Sequence, residues 1–274
     1  MNDDVIVTTY VVIDEFLSHA GHRDHALAQV GDAEVLTVAV VAAAYFQNHH
    51  ARALQVMQGL RYLSGRLSVS RFNRRLPALG ARLEAALDLL GELLGELFAT
   101  GEAFVIDTLP VPVCRRVRAR RCRKVRGRAY CGYCAAKREK VFGWKLHLVC
   151  TPAGVPVAFS LLPAALHDLT AVHELTVGLP AGAGTYGDKA YNSAPDEASI
   201  LADTGVRLVP IRKANMRPNL WADKLALREH RKRIETVNSQ LEAMGLQRLR
   251  ARTNPGFELK VLASLLALAL INAH

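Results

Sequence analysis

The period at which apolar residues recur changes once along this chain, and that change constrains the fold more than any other feature. From Asp4 to about Ala99 the apolar residues recur at helical spacing, with Asp32 (in GDAEVLTVAVVAAAYF) and Ser70 placed as N-caps. Near Gly101 the pattern turns to short β-branched and apolar runs at 104–107, 144–150, 155–161, 185–186 and 206–211. Helical stretches follow at 167–178 and 194–202, and a long polar helix runs from about Asp223 to Met244. The order β-β-β-α-β-α-β-α joins a meander of early strands to later βα alternation. It predicts an α/β fold with a mixed sheet and helices on its faces, preceded by an all-helical domain. The expected division is a helical domain over 1–99 and an α/β domain over 100–274, the latter with a basic insertion at about 108–142.

Charge narrows the choice of partner. Lys plus Arg number 35 against 25 acidic residues, a formal net charge of +10, which favours a polyanion: nucleic acid first, an anionic membrane surface second. The charge is concentrated in residues 115–128 (RRVRARRCRKVRGR), where Lys and Arg take nine of fourteen places with no acid among them. Such a block repels itself and is expected to stay extended unless an anion neutralises it, so Arg115, Arg116, Arg120 and Arg121 are candidate phosphate contacts. The opening Met1, Asn2, Asp3, Asp4 lacks the basic start and apolar run of a secretory signal, so a cytoplasmic protein is expected. The longest apolar run, 261–272, is shorter than the roughly 20 residues of a membrane span and reads as a buried helix, with no membrane partner.

Three carboxylates stand where chemistry is plausible. Asp107 ends an apolar strand in AFVIDTLPVPVC, and Asp188 follows a short strand in GTYGDKAYN. A carboxylate at the end of a buried strand carries a desolvation cost and usually serves a metal, a cation or a cap; the plainer readings are a turn residue before Pro110 and an ion pair with Lys189. Glu235 lies on the long basic helix with Arg231 four residues before it and Asn238 three after, all on one face, so an intrahelical Arg–Glu pair is its plainer reading. Together, two strand-end aspartates and one helical glutamate can converge at a sheet edge. Phosphodiester chemistry with two hard cations held by oxygen ligands needs that geometry.

The strings IDTLPVPVC, FGWKLHLVCTPAGVPVAF, YGDKAYN and RIETVNSQLE, in this order and spacing, resemble those of bacterial insertion-sequence transposases of the DDE type, in particular the insertion sequence 982 family. The resemblance runs from about Ala103 to the C-terminus and continues more weakly into LSVSRFNRRL. It implies the fold of RNase H and retroviral integrases, with Asp107, Asp188 and Glu235 as catalytic ligands of Mg²⁺ or substituting Mn²⁺. It also implies cleavage of an element's ends and joining of the freed 3′-hydroxyls to target double-stranded DNA by a DNA-bound homodimer. Related transposases carry a tyrosine, an arginine and a lysine around the glutamate, where this chain holds Arg228, Arg231 and Glu242. Two alternatives remain: an RNase H-like nuclease without strand transfer, and a non-catalytic DNA-binding repressor.

The remaining motifs divide between DNA contact and structure. Ser68, Val69 and Ser70 precede Arg71, Phe72, Asn73, Arg74 and Arg75, a capped basic helix that reads either as the recognition helix of a helix-turn-helix or as a solvated face. Lys145, Lys189 and Arg231 are further candidate DNA contacts. Cys114, Cys122, Cys131 and Cys134 fall within twenty-one residues and include one CxxC pair; a second CxxC is missing, so reduced thiols are favoured over a structural zinc. Cys150 reads as a strand-core residue, Asp168 as an N-cap, His167 as a possible neighbour of the acids, and His49 and His50 as surface residues.

Overall fold

The computed structural model describes residues 2–98, 103–135 and 137–273. Contacts group the chain into two compact units, one of Met1–Leu89 with Gln240–His274 and the other of Leu90–Ser239. The expected boundary at 99/100 lies outside the described residues. By packing, the last 35 residues or so go with the N-terminal helices rather than with the sheet.

The first unit contains α1 (Asp3–His19), α2 (Asp32–Phe46), α3 (His50–Gly59), α4 (Val69–Ala78), the start of α5 (Gly80–Phe98) and α9 (Asn254–Ala273). Two of these helices are apolar on every side and are therefore central. In α2 every residue from Ala33 to Ala43 is buried, and α9 is buried from Phe257 almost without break to Leu270. The two pack against each other, and α1 and α3 cover α2. At 20 residues α9 is long and apolar enough to cross a membrane by length and composition, so the expectation that this segment is too short does not hold; 61% of that stretch is nevertheless buried inside the protein.

Two helix starts differ from expectation. Gly31, not Asp32, caps α2, and Glu34 returns to accept from its N–H. Ser68, not Ser70, caps α4, its hydroxyl accepting from the Arg71 N–H at 3.2 Å. Both shifts have one cause: the residue just outside the helix takes an extended backbone and the next is already helical, and in SVS the first serine fulfils the capping pattern. His50 is not a plain surface residue either: its ring meets Phe72 edge-on at 5.3 Å, and burial pushes its pKa down to about 3.

The second unit is a mixed sheet with helices, as the order of elements predicts. Its strands are β1 (Ala103–Pro112), β2 (Cys131–Cys134), β3 (Glu139–Cys150), β4 (Pro156–Pro163), β5 (Gly184–Gly187) and β6 (Arg207–Pro210), in the order β2-β3-β1-β5-β6, with β4 also on β3. The β1–β3, β2–β3 and β3–β4 pairs are antiparallel, and β1–β5 and β5–β6 are parallel. Strand β2 is absent from the sequence reading, and the expected insertion at 108–142 is narrower, because β1 continues to Pro112 and β2 and β3 occupy its far end. Between the later strands lie α6 (Val172–Val177), α7 (Ala194–Thr204) and α8 (Trp221–Ala243), whose C-terminal end passes into the first unit. Phe104, Ile106 and Val149 of the sheet join Leu175, Leu179 and Ile200 of α6, α7 and the loop between them in one core.

Candidate active site

Strand register and alternation bring two of the expected acids together. In the parallel β1–β5 pair, Ala103 faces Gly184, Phe104 faces Thr185 and Val105 faces Tyr186. Continued two residues further, the same register sets Asp107 beside Asp188. Since Phe104 and Ile106 point into the core under α6 and α7, Val105 and Asp107 emerge on the opposite face of the sheet, as do Tyr186 and Asp188. Gly187 makes the turn at Asp188 possible: a Cβ there would lie 2.7 Å from Tyr191 and 3.0 Å from Ile106. Asp188 then opens the 3₁₀ turn Lys189–Tyr191, its carboxylate accepting from the Ala190 N–H at 2.7 Å.

Helix α8 reaches the same face at two points. The His230 ring lies 5.1 Å from that of Tyr186, and the Asn238 amide donates from Nδ2 to Asp107 Oδ2 at 2.9 Å. Glu235 sits one turn before Asn238 on the same side of the helix. It is exposed and paired with Arg231, Nε to Oε1 3.0 Å, so the plain intrahelical pair is present.

Both aspartates are held above the usual carboxylate range. Burial pushes the Asp107 carboxyl up to about 6; the charge of Asp188 adds to the rise, while hydrogen bonds from the Thr108 N–H and Asn238 oppose it. Asp188 is raised by partial burial and by Asp168, against the Ala190 N–H and Arg231. Asp168 is thus a third carboxylate close enough to be felt by both. It does not cap a helix as expected: His167 caps the 3₁₀ turn Asp168–Ala171, its Nδ1 accepting from Leu169 N at 3.2 Å. Asp168 instead accepts from Lys145 Nζ at 2.7 Å, which commits that lysine to the protein. On the same side of β3 as Lys145, His147 is fully buried, and its pKa falls to about 4, mainly through burial. Asn238 and Asp168 are the site residues that sequence reasoning leaves out, although the three-residue spacing from Glu235 already placed Asn238 on that face.

A family model described as a transposase DDE domain matches residues 98–252, more than half of the chain. The chain belongs to the transposase DDE domain family. No curated protein matches it, and neither does any solved structure. The DDE domain match spans the whole sheet and contains Asp107, Asp188 and Glu235. Transposase DDE domains act on DNA and generally use divalent metals, which suits an oxygen-rich pair of mutually repelling carboxylates. In this conformation Asp107, Asp188 and Glu235 do not close into a set of ligand atoms within 4.8 Å of one another. Among the described residues the trio that does is His22, Asp24 and Asp32, in the other unit. Asp32 is already paired there with Arg75, so that trio is a staple between the α1–α2 loop and α4.

The other predicted contacts of the DDE transposase fall into two groups. Arg71 and Arg74 are exposed on α4, but the Arg75 guanidinium is turned inward, donating to Asp32 Oδ1 at 3.1 Å and to the Val30 carbonyl at 2.7 Å. Arg75 therefore does not stand free to read a base. The basic segment is ordered as a 3₁₀ turn over Arg116–Arg121 rather than extended, and among the described residues none of the arginines of 115–128 has an acidic partner. Arg115, Arg116, Arg120 and Arg121 remain open to an anion, as does exposed Lys189. Cys114 and Cys122 are hydrogen-bonded neighbours, whereas Cys131 and Cys134 do not join them in a group of three close ligands among the described residues. Cys150 is fully buried in β3, as expected, and burial pushes its thiol well up.

Proposed function

We propose that this protein is an insertion-sequence transposase, resembling the insertion sequence 982 family, with an RNase H-like catalytic domain and an N-terminal helical DNA-binding region. On this reading it cleaves the ends of its element and joins the 3′-hydroxyls to target DNA in the bacterial cytoplasm, as a homodimer that holds two ends at once. The observation that carries the proposal is the convergence of Asp107 and Asp188 at adjacent strand ends, on the face that α8 reaches through Asn238, with Glu235 one turn away.

Asp107, Asp188 and Glu235 would hold the Mg²⁺ ions, with Mn²⁺ as substitute, and what the ions supply is activation of the attacking oxygen and neutralisation of the leaving one. Asn238, on Oδ2, and the Thr108 N–H, on Oδ1, together orient the Asp107 carboxylate. Glu235 would join the two aspartates as a ligand by giving up its Arg231 partner, which would leave the Arg231 guanidinium for a backbone phosphate. Lys189 and the arginines of 115–128 position the strand without reading its bases.

The test is a cleavage and strand-transfer assay on DNA carrying the element's ends, with Mg²⁺ or Mn²⁺. Metal-dependent cleavage followed by joining to a target supports the reading. Cleavage with no joined product would reduce the protein to a nuclease, and specific binding with no cleavage would make it a repressor.

A further inference from the structure

A cavity of about 810 Å³ opens between residues 211–219 and α8, and Glu235 forms part of its wall. Its lining combines two chemistries. Ile211, Met216, Pro218 and Leu227 are apolar, while Lys213, Lys224, Arg228 and Lys232 bring charge, none of them in an ion pair among the described residues. The segment that forms its outer wall is braced. Arg212 donates to both oxygens of Glu197 at 2.6 and 2.7 Å, and Asn219 bridges the Arg212 guanidinium and the Pro210 carbonyl. The groove is therefore preformed rather than opened by its occupant.

Two residues past Asn219 and one turn before Lys224, both in the cavity lining, the chain carries an exposed indole. Trp221, the first residue of α8, is 80% exposed, next to Leu220 at 69%. Helical spacing puts Trp221, Lys224, Arg228, Lys232 and Glu235 along one stripe of α8, about 21 Å from end to end. A long polar helix gains nothing for its own stability from an exposed indole. An apolar, cation-rimmed trough with an aromatic side chain on the same helix stripe matches a ligand with flat apolar faces and a regular line of negative charge.

We infer that this groove binds an unpaired DNA strand, with a base stacked on Trp221 and the following phosphates led by Lys224, Arg228 and Lys232 towards Glu235. Paired duplex does not fit the same description, because its base faces are closed to a side chain. The inference deepens the proposed function by assigning the strand state that the site receives, and it rests on that reading for its meaning but not for its test.

The test is a titration of the full-length protein in EDTA with a short oligothymidylate, an oligouridylate and a blunt duplex of equal length, and polyglutamate, followed by tryptophan fluorescence. The chain has two tryptophans, the other being half-buried Trp144 against Tyr130, so the part of the quenching that Trp221→Ala removes reports Trp221. Quenching by oligothymidylate but not by duplex or polyglutamate is expected. Trp221→Ala, read by anisotropy of labelled oligothymidylate, should bind about five- to hundredfold more weakly, the range for loss of one stacked base. Lys224→Ala with Arg228→Ala should weaken binding further and flatten its salt dependence. Equal quenching by polyglutamate, tighter binding of oligouridylate, or unchanged affinity of a folded Trp221→Ala would overturn the inference. Binding is read without metal and without cleavage, so its outcome stands apart from that of the catalytic reading. Cleavage by Asp107→Asn would sink the catalytic reading alone, and normal binding by Trp221→Ala would sink the groove alone.

Discussion

Asn238 on α8 donates a 2.9 Å hydrogen bond to the carboxylate of Asp107 on β1, across 131 residues of sequence. This contact makes the helix and the strand end one site: it orients Asp107, and it fixes where Glu235 stands, one turn earlier. It also opposes the rise in the Asp107 pKa, so loss of the amide leaves a buried carboxyl with less to hold its charge.

The three acids are expected to be individually indispensable. Asp107→Asn, Asp188→Asn and Glu235→Gln should each lower Mg²⁺-dependent cleavage to background while leaving DNA affinity near that of the unaltered protein, because an amide keeps the shape but is a poor Mg²⁺ ligand. Near-normal cleavage by any one of them removes that residue from the ligand set; Asp168 would be the first replacement to try.

Without metal, Asp107 should cost stability at neutral pH. Folded, its carboxyl keeps a proton up to about pH 6, whereas unfolded it loses it near 3.8, so folding takes up a proton in between. The stability it contributes is full below about 3.8 and is lost as pH rises through 6, a difference of at most about 3 kcal/mol. Asp107→Asn should therefore melt several degrees higher than the unaltered protein at pH 8 in EDTA, with the gap closing towards pH 4. Equal melting temperatures at pH 8 would show the carboxyl to be well solvated.

Replacing Arg115, Arg116, Arg120 and Arg121 with Ala should weaken binding to specific and random duplex alike, since phosphate contacts carry no base information. The plot of log affinity against log salt should flatten by up to roughly 0.9 per lost contact. An unchanged slope would mean that these exposed arginines face solvent.

Helix α4 separates two roles within five residues. Arg71→Ala with Arg74→Ala should reduce preference for the element's ends over scrambled duplex, with each lost base contact worth about 1–3 kcal/mol, and should leave thermal stability alone. Arg75→Ala should do the reverse: it strips Asp32 of its cation and should lower the melting temperature. A triple variant that keeps its end preference would leave α4 as a solvated basic face.

The sheet and most helices were legible because strand alternation and helical period are local signals. Asp107 and Asp188 stood out for the same reason, as acids terminating apolar runs. Strand β2 was not legible: CGYC is short, and its pairing with residues 139–142 depends on a partner rather than on its own pattern. The commitment of Arg75 to Asp32 and of Lys145 to Asp168 was hidden because ion pairs over 43 and 23 residues leave no spacing to read. In composition alone, a paired arginine and a DNA-reading arginine look the same.

The return of α9 to α2 bears on how the protein is made. Residues 240–273 belong with helices that leave the ribosome some two hundred residues earlier, so a nascent chain can complete its sheet before its opening helices have their central partner. A copy shortened by a frameshift upstream of Gln240 would carry α4 on an unfinished, apolar-faced bundle. Such a remnant would expose the side of α2 that α9 covers and so would be open to proteolysis.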